Sequence, residues 1–308
     1  MRAIVATLLF ALPLLGCAAG GATLNLGGER LGRSLIDRPA AASGPGPVVL
    51  FLHGAIHGPG TMRDMLRSSG GAQAPGVTIV YPNAEGMIWN EGSLAEALPG
   101  VLARGDDIAF LDRLIASLVE AGIADPAAIH LAGFSNGAMM AARYACLHAE
   151  RVASLTLFQA SMPREEEAPC RPARPLDVML VAGTEDPIMR WDGRIVAGRV
   201  VTLQRRLSVP ESFELWLRLN RCAGQAEPVA LPRQGVPSAP FVLAHAGTGC
   251  ANGVRTLLYE VRGGGHRLPG QDGFSFRRIF GRATGDVAAS ELVTRFALRR
   301  SELPGVAR

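Results

Sequence analysis

Leu131-Ala-Gly133-Phe-Ser135-Asn-Gly137-Ala-Met-Met140 decides how this chain is read. The residues before it, Ala127-Ala-Ile-His-Leu131, have the composition of a short buried strand. Those after it, 138–146, are the small and apolar residues of a packed helix. A strand that reverses this sharply into a helix holds its central residue at strained backbone angles and leaves no room for a Cβ on either flank. The geometry lifts the Ser135 hydroxyl above the sheet at a helix N-terminus, where the positive end of the dipole favours a developing anion. In a chain with 37 Gly the pattern Gly-x-Ser-x-Gly alone is weak. The strand before it and the helix after it give it weight.

Outward from this stretch, strands and helices alternate. Pro47-Val-Val-Leu-Phe-Leu52 is a continuous apolar run, the mark of a central strand buried on both faces. Further strands are predicted at 77–81, 152–158, 176–182 and 256–261, with helices at 61–69, 108–121, 210–220 and from Asp286 to about 299. Asp106-Asp107 and Ser208 are placed to cap two of these helices. This order predicts an α/β fold with a mostly parallel, doubly wound sheet and helices on both faces. Residues 23–36 alternate around Gly27-Gly28 and read as a hairpin. Segments 82–105 and 183–198 read as loops, and 223–250 as irregular apart from a strand near 241–244. With no internal repeat and no linker, 23–300 reads as a single domain with a short tail at 301–308.

Apolar residues at 48% and charged residues at 19% describe a globular protein with a sizeable core. All 31 basic residues are Arg, against 27 acidic ones, and the formal charge of +4 is spread along the chain. No basic run interleaves with aromatics, which speaks against a nucleic-acid partner.

Residues 1–17 read as a signal peptide, with Arg2 followed by an uncharged apolar run too short to span a bilayer. The run ends Leu14-Leu15-Gly16-Cys17, similar to a bacterial lipobox in which Cys17 is lipidated, with 18–22 as a tether. Cleavage near Ala18-Ala19 is the competing reading. Both place the mature protein outside the cytoplasm, and the membrane enters only through that anchor. Four cysteines then remain, an even number for an oxidising compartment. Three pairings are possible, and Cys146–Cys170 with Cys222–Cys250 is favoured because each closes a short segment. No Cys-x-x-Cys points to zinc, and no metal or organic cofactor is expected.

An activated serine needs a base to take its proton and a carboxylate to hold that base in one tautomer. Asp186, in Gly183-Thr-Glu-Asp-Pro187, follows a predicted strand, and His266, after Gly263-Gly-Gly, follows another. The order Ser135, Asp186, His266 is the order required when each sits at the C-terminal edge of such a sheet. Asp186 before Pro187 also fits a plain turn, and Glu185 and Asp192 are neighbouring alternatives. His266 after three glycines, in a loop read as flexible, is a poor place for a merely packed histidine. His130 lies inside a strand, and His148 and His245 lack a carboxylate loop. His53 and His57 follow a strand with no Glu between them, unlike a helical zinc pair. An oxyanion hole needs two backbone donors, and Asn136 and Ala55 are the candidates. Arg104-Gly-Asp106 is too short a pattern to carry a reading.

In order, Leu52-His53-Gly54, Tyr81-Pro82, Trp89-Asn90, Asp106-Asp107, the Ser135 stretch, Gly183-Thr-Glu-Asp186-Pro187 and Gly263-Gly-Gly-His266-Arg-Leu-Pro-Gly270 occur. Together these resemble the polyhydroxybutyrate depolymerase and feruloyl esterase group of secreted α/β-hydrolases, close to carbohydrate esterase family 1. The resemblance covers roughly 23–300. It implies a Ser–Asp–His esterase without a cofactor, acting on feruloyl or acetyl esters or 3-hydroxybutyrate oligomers. It also implies cleft roles for Trp89 and Asn90, with His53 and Leu268 beside them. Leu268 stands where the group usually has Trp in Gly-His-x-Trp-Pro-Gly, which leaves less surface for stacking a feruloyl ring or packing a polyester chain. Soluble esters or oligomers are therefore expected rather than solid polymer. Acyl transfer on the same triad, or a binding protein that keeps the fold without catalysis, are the alternatives.

Overall fold

Strand β3, Gly46–Leu52, sends alternate side chains to two different cores. Val48, Leu50 and Leu52 enter one cluster, and Val49 and Phe51 enter the other. That is why its sequence is apolar without a break: the period of two is satisfied on both faces. The computed structural model describes residues 22–23, 34–40, 42–71, 75–92, 105–164, 166, 168–197, 200–234, 236–271 and 277–299. The expected signal peptide, Cys17, the Gly27-Gly28 turn and the 301–308 tail lie outside these residues.

Around β3 the chain lays down β4 (Thr78–Tyr81), β5 (Ala124–Phe134), β6 (Ser154–Phe158), β7 (Asp177–Gly183) and β13 (Thr256–Arg262). They run parallel in the order β4-β3-β5-β6-β7-β13. Antiparallel strands flank this block. On one side β2 (Leu35–Asp37) pairs with β4, and β1 (Ala22–Thr23) pairs with β2. On the other, β12 (Phe241–Thr248) pairs with β13, and carries β10 (Gly224–Gln225) and β11 (Val229–Ala230). A separate hairpin pairs β8 (Arg194–Ala197) with β9 (Val200–Arg205).

Helices α2 (Asp107–Glu120), α3 (Asn136–Leu147) and α4 (Val209–Leu219) cover one face of the sheet. Helices α1 (Pro59–Ser68) and α6 (Ala289–Ala297) cover the other, and a short α5 (Arg277–Phe280) precedes α6. Asp106 caps α2 by accepting from the Ala109 amide, and Ser208 and Glu211 form a reciprocal capping box on α4. The doubly wound architecture is the predicted one.

Three local expectations are corrected. The 183–198 segment is not all loop, since its last residues form β8. Asp286 does not open the last helix, which begins at Ala289. Its carboxylate instead accepts from the amides of Gln234 and Val242 and fixes the chain beside β12. Strand β12 extends beyond the predicted 241–244.

Both favoured disulfides are formed. Cys146–Cys170 ties the last turn of α3 to the β6–β7 connection, and Cys222–Cys250 ties the end of α4 to the end of β12. Among the described residues no helix is long and apolar enough to cross a membrane.

Candidate active site

Ser135 sits between the end of β5 and the start of α3 with φ 53° and ψ −121°, a left-handed backbone rare for a residue with a side chain. Its amide donates to the Phe158 carbonyl of β6, and its carbonyl accepts from Ala138 and Met139 to start the helix. The flanking glycines are dictated by close approach. A Cβ on Gly133 would overlap the Gly137 carbonyl and lie 2.5 Å from the Ala138 nitrogen. A Cβ on Gly137 would overlap the carbonyl oxygens of Leu52 and His53 and lie 2.6 Å from the Leu52 carbonyl carbon. Helix α3 therefore rests directly on the turn that leaves β3. The Ser135 hydroxyl is half-buried and does not cap its helix.

Asp186 follows β7 and is buried. One carboxylate oxygen accepts from the amides of Ile188 and Met189, both at 2.8 Å, and the other lies 2.7 Å from Nδ1 of His266. An ionised carboxylate only accepts, so Nδ1 is the donor of this pair. Glu185 and Asp192, the alternative acids, are not in this position; Asp192 pairs with Arg194 in an exposed turn.

The loop that carries His266 is packed, which corrects the expectation of a flexible one. A Cβ on Gly264 would come 2.5 Å from a Val261 methyl, and one on Gly265 would overlap the Phe280 carbonyl and lie 2.6 Å from the Gly281 Cα. The glycines are there for proximity. The Glu185 amide donates to Gly264 at 2.9 Å, and the His266 amide donates to Phe280 at 2.6 Å. Gln159, at the end of β6, adds a tie that sequence reasoning missed. Its buried side chain donates to the Arg267 carbonyl and accepts from the Gly183 amide, joining the histidine and aspartate loops.

Ser135, Asp186 and His266 thus follow β5, β7 and β13 at one edge of the sheet. The ring of Phe134, next to Ser135, packs 4.9 Å from the His266 ring. It also stacks with His57 at 6.3 Å. Burial, and after it the charge of neighbouring His266, holds His57 below the ordinary histidine value. Among the described residues the Ser135 hydroxyl has no hydrogen-bond partner, His266 included. Such bonds are commonly long in free enzymes and tighten when substrate binds.

The amide of Asn136 is the first of its helix and has no acceptor within it. In the turn after β3, Ile56 donates to Met87 and His57 to Gly54, while Ala55 between Gly54 and Ile56 donates to no described backbone group. The contact of Gly137 with Leu52 and His53 brings these two amide-bearing segments together.

The expected cleft residues are placed otherwise. Trp89, His53 and Leu268 are fully buried, so their side chains brace the site from behind and do not line it. Trp89 donates its indole hydrogen to the His53 carbonyl, at 3.0 Å. His53 donates from Nδ1 to the Gly54 carbonyl and accepts the Ala84 amide at Nε2, and burial pulls its pKa down to about 4. Leu268 packs in the core that holds α1 and α6. Asn90 is partly exposed, its amide held by Asp107 and its carbonyl by Arg143. Among the described residues no three His, Cys, Asp or Glu side chains form a group that could hold a metal ion.

No family model matches the chain. It is 31% identical over 239 residues to the putative esterase NocK of Nocardia uniformis subsp. tsuyamanensis, covering 73% of this chain and 66% of that protein. It is 26% identical over 201 residues to feruloyl esterase B of Piromyces equi, covering 63% of this chain and 34% of that protein. This chain has the α/β-hydrolase fold and is similar in sequence to these two esterases. The hydrolase spans about a third of the length of the Piromyces relative and about two thirds of the Nocardia one. Among solved structures, an acetyl xylan esterase from Aspergillus awamori aligns with a TM-score of 0.47 at 15% identity, over 81% of this chain and 94% of that one.

Proposed function

We propose that this hydrolase is a serine carboxylesterase that works in an oxidising compartment outside the cytoplasm. The observation that carries the reading is the buried Asp186–His266 hydrogen bond, with the His266 ring packed on Phe134, the residue before the strained Ser135. In this reading Nε2 of His266 takes the Ser135 proton as Oγ attacks the ester carbonyl. Asp186 stays ionised and holds the imidazolium that forms. The Asn136 and Ala55 amides hold the oxyanion, and losing such a donor costs on the order of 10²–10³ in rate. His266 then returns the proton to the departing alcohol, and water hydrolyses the acyl-enzyme by the same path.

The relative named feruloyl esterase supports feruloyl esters, and the one named esterase supports ester hydrolysis in general; acetyl esters and 3-hydroxybutyrate oligomers are the other candidate substrates. Two disulfides support an extracytoplasmic location. In this reading Cys17 carries the lipid anchor, and Cys17→Ser releases the protein from membranes.

Mature protein and Ser135→Ala are compared on p-nitrophenyl acetate and butyrate, methyl ferulate and 3-hydroxybutyrate oligomers, with fluorophosphonate labelling in parallel. Hydrolysis and labelling that vanish in the variant are expected. Equal rates in both proteins, or no hydrolysis and no labelling in either, would overturn the esterase reading in favour of a binding protein.

A further inference from the structure

Two large apolar side chains beside the proposed oxyanion turn face solvent. Ile56 is 74% exposed and Met87 is 52% exposed. Ile56 follows Ala55 directly, and its amide donates to the Met87 carbonyl at 2.9 Å. Both residues have left-handed backbones, with φ of 56° and 63°. That conformation suits Gly, Asn and Asp, and for a β-branched residue such as Ile56 it is a true outlier. Strain of this kind clusters at functional sites. Here it is held twice, and neither side chain is buried as a result.

The pair is also anchored from both ends. The Ala84 amide, just before the turn Glu85–Met87, donates to Nε2 of His53. The Trp89 amide, just after it, donates to the side chain of Asn136. The backbone that carries the two side chains is thereby held against His53 and Asn136, the neighbours of the proposed oxyanion donors.

We propose that Ile56 and Met87 form an apolar rim that receives the hydrocarbon part of the ester, so that the enzyme selects esters bearing an apolar group of several carbons over acetyl esters. The proposal rests on the esterase reading. Each methylene of substrate covered by such a surface is worth about fourfold in selectivity.

The test is kcat/KM for p-nitrophenyl acetate and butyrate in the wild type, Ile56→Asn, Met87→Asn and the double variant. Asn accepts the left-handed backbone, so the turn keeps its path while the apolar surface is lost. The butyrate-to-acetate ratio is expected to fall about threefold in each single variant and about tenfold in the double one. Leu147→Gln, an apolar position about as exposed as Met87 at the far end of α3, leaves the ratio as in the wild type. A ratio unchanged in the double variant overturns the rim, even if both rates fall together. If that variant also loses a dimer present in the wild type, the pair belongs to a contact between copies instead. A wild type with no Ser135-dependent hydrolysis removes the esterase reading, and the rim with it.

Discussion

The side-chain amide of Asn136 pairs with both backbone groups of Trp89, accepting its N–H at 2.8 Å and donating to its carbonyl at 3.2 Å. The residue whose backbone is the proposed oxyanion donor therefore also clamps the segment behind the oxyanion turn. Asn136→Ala leaves two buried backbone groups without partners, at about 1–3 kcal/mol each. A urea midpoint well below that of the wild type is expected, together with a fall in kcat. A variant as stable as the wild type would show that water replaces the amide.

Gly137 has no room for a methyl group. Gly137→Ala forces its Cβ into the carbonyls of Leu52 and His53, and a loss of roughly 3 kcal/mol or more is expected from so rigid a clash. Gly58→Ala is the comparison, because nothing lies within 4 Å of that position. Thermal melts should separate the two clearly. Similar melting temperatures would mean that the turn after β3 can move.

Asp186→Asn keeps the shape of the acid and removes its charge. The expected loss in kcat is on the order of 10⁴, because His266 is no longer held in the tautomer with its hydrogen on Nδ1. Circular dichroism melts should change far less, since the oxygen that accepts from Ile188 and Met189 is retained. A loss of only a few-fold in ester hydrolysis would assign the acid role elsewhere.

Acid should weaken the fold through a buried histidine that the proposed mechanism does not use. His130 lies inside β5 with Nδ1 beside the Ser154 hydroxyl, and burial pulls its pKa from 6.5 to about 4. The unfolded chain takes up the proton first, so stability is full above about pH 6.5, falls as the pH drops and levels off near pH 4. The full difference is roughly 3 kcal/mol for this one residue. Urea unfolding from pH 7 to pH 4 should show a shallower decline in His130→Gln. Parallel profiles would mean that His130 is protonated in the folded protein.

Each disulfide closes a short segment, with sequence separations of 24 and 28. Chain entropy assigns about 3 kcal/mol to a loop of this length. Reduction is expected to lower the melting temperature by several degrees per bridge, with Cys222→Ser and Cys146→Ser resolving the two. An unchanged melt after reduction, checked by thiol titration, would make the bridges incidental.

Much of this arrangement is legible in the sequence because it rests on local rules. A strand buried on both faces needs an unbroken apolar run, and β3 has one. The Ser135 turn needs glycine on both sides, and the acid and base must follow strands in a fixed order. What escaped was set by contacts distant in sequence. Gln159 is one polar residue after a strand, and its role depends on Arg267, 108 positions away. Trp89 reads as a cleft aromatic until its indole hydrogen finds the His53 carbonyl and turns it inward. The β8–β9 hairpin was hidden because Asp192 and Gly193 make its entry resemble an ordinary turn.

The crowded glycines around His266 bear on how such an enzyme can diversify. A side chain at Gly264 or Gly265 would meet Val261, Phe280 or Gly281, so the loop that carries His266 is closed to gradual change. The side chains of Ile56 and Met87 project into open solvent, where the limit on a new residue is its left-handed backbone and not its neighbours. Lineages of this chain, and directed libraries built on it, should therefore vary at that turn, within residues that accept a left-handed backbone, while the His266 loop stays as it is.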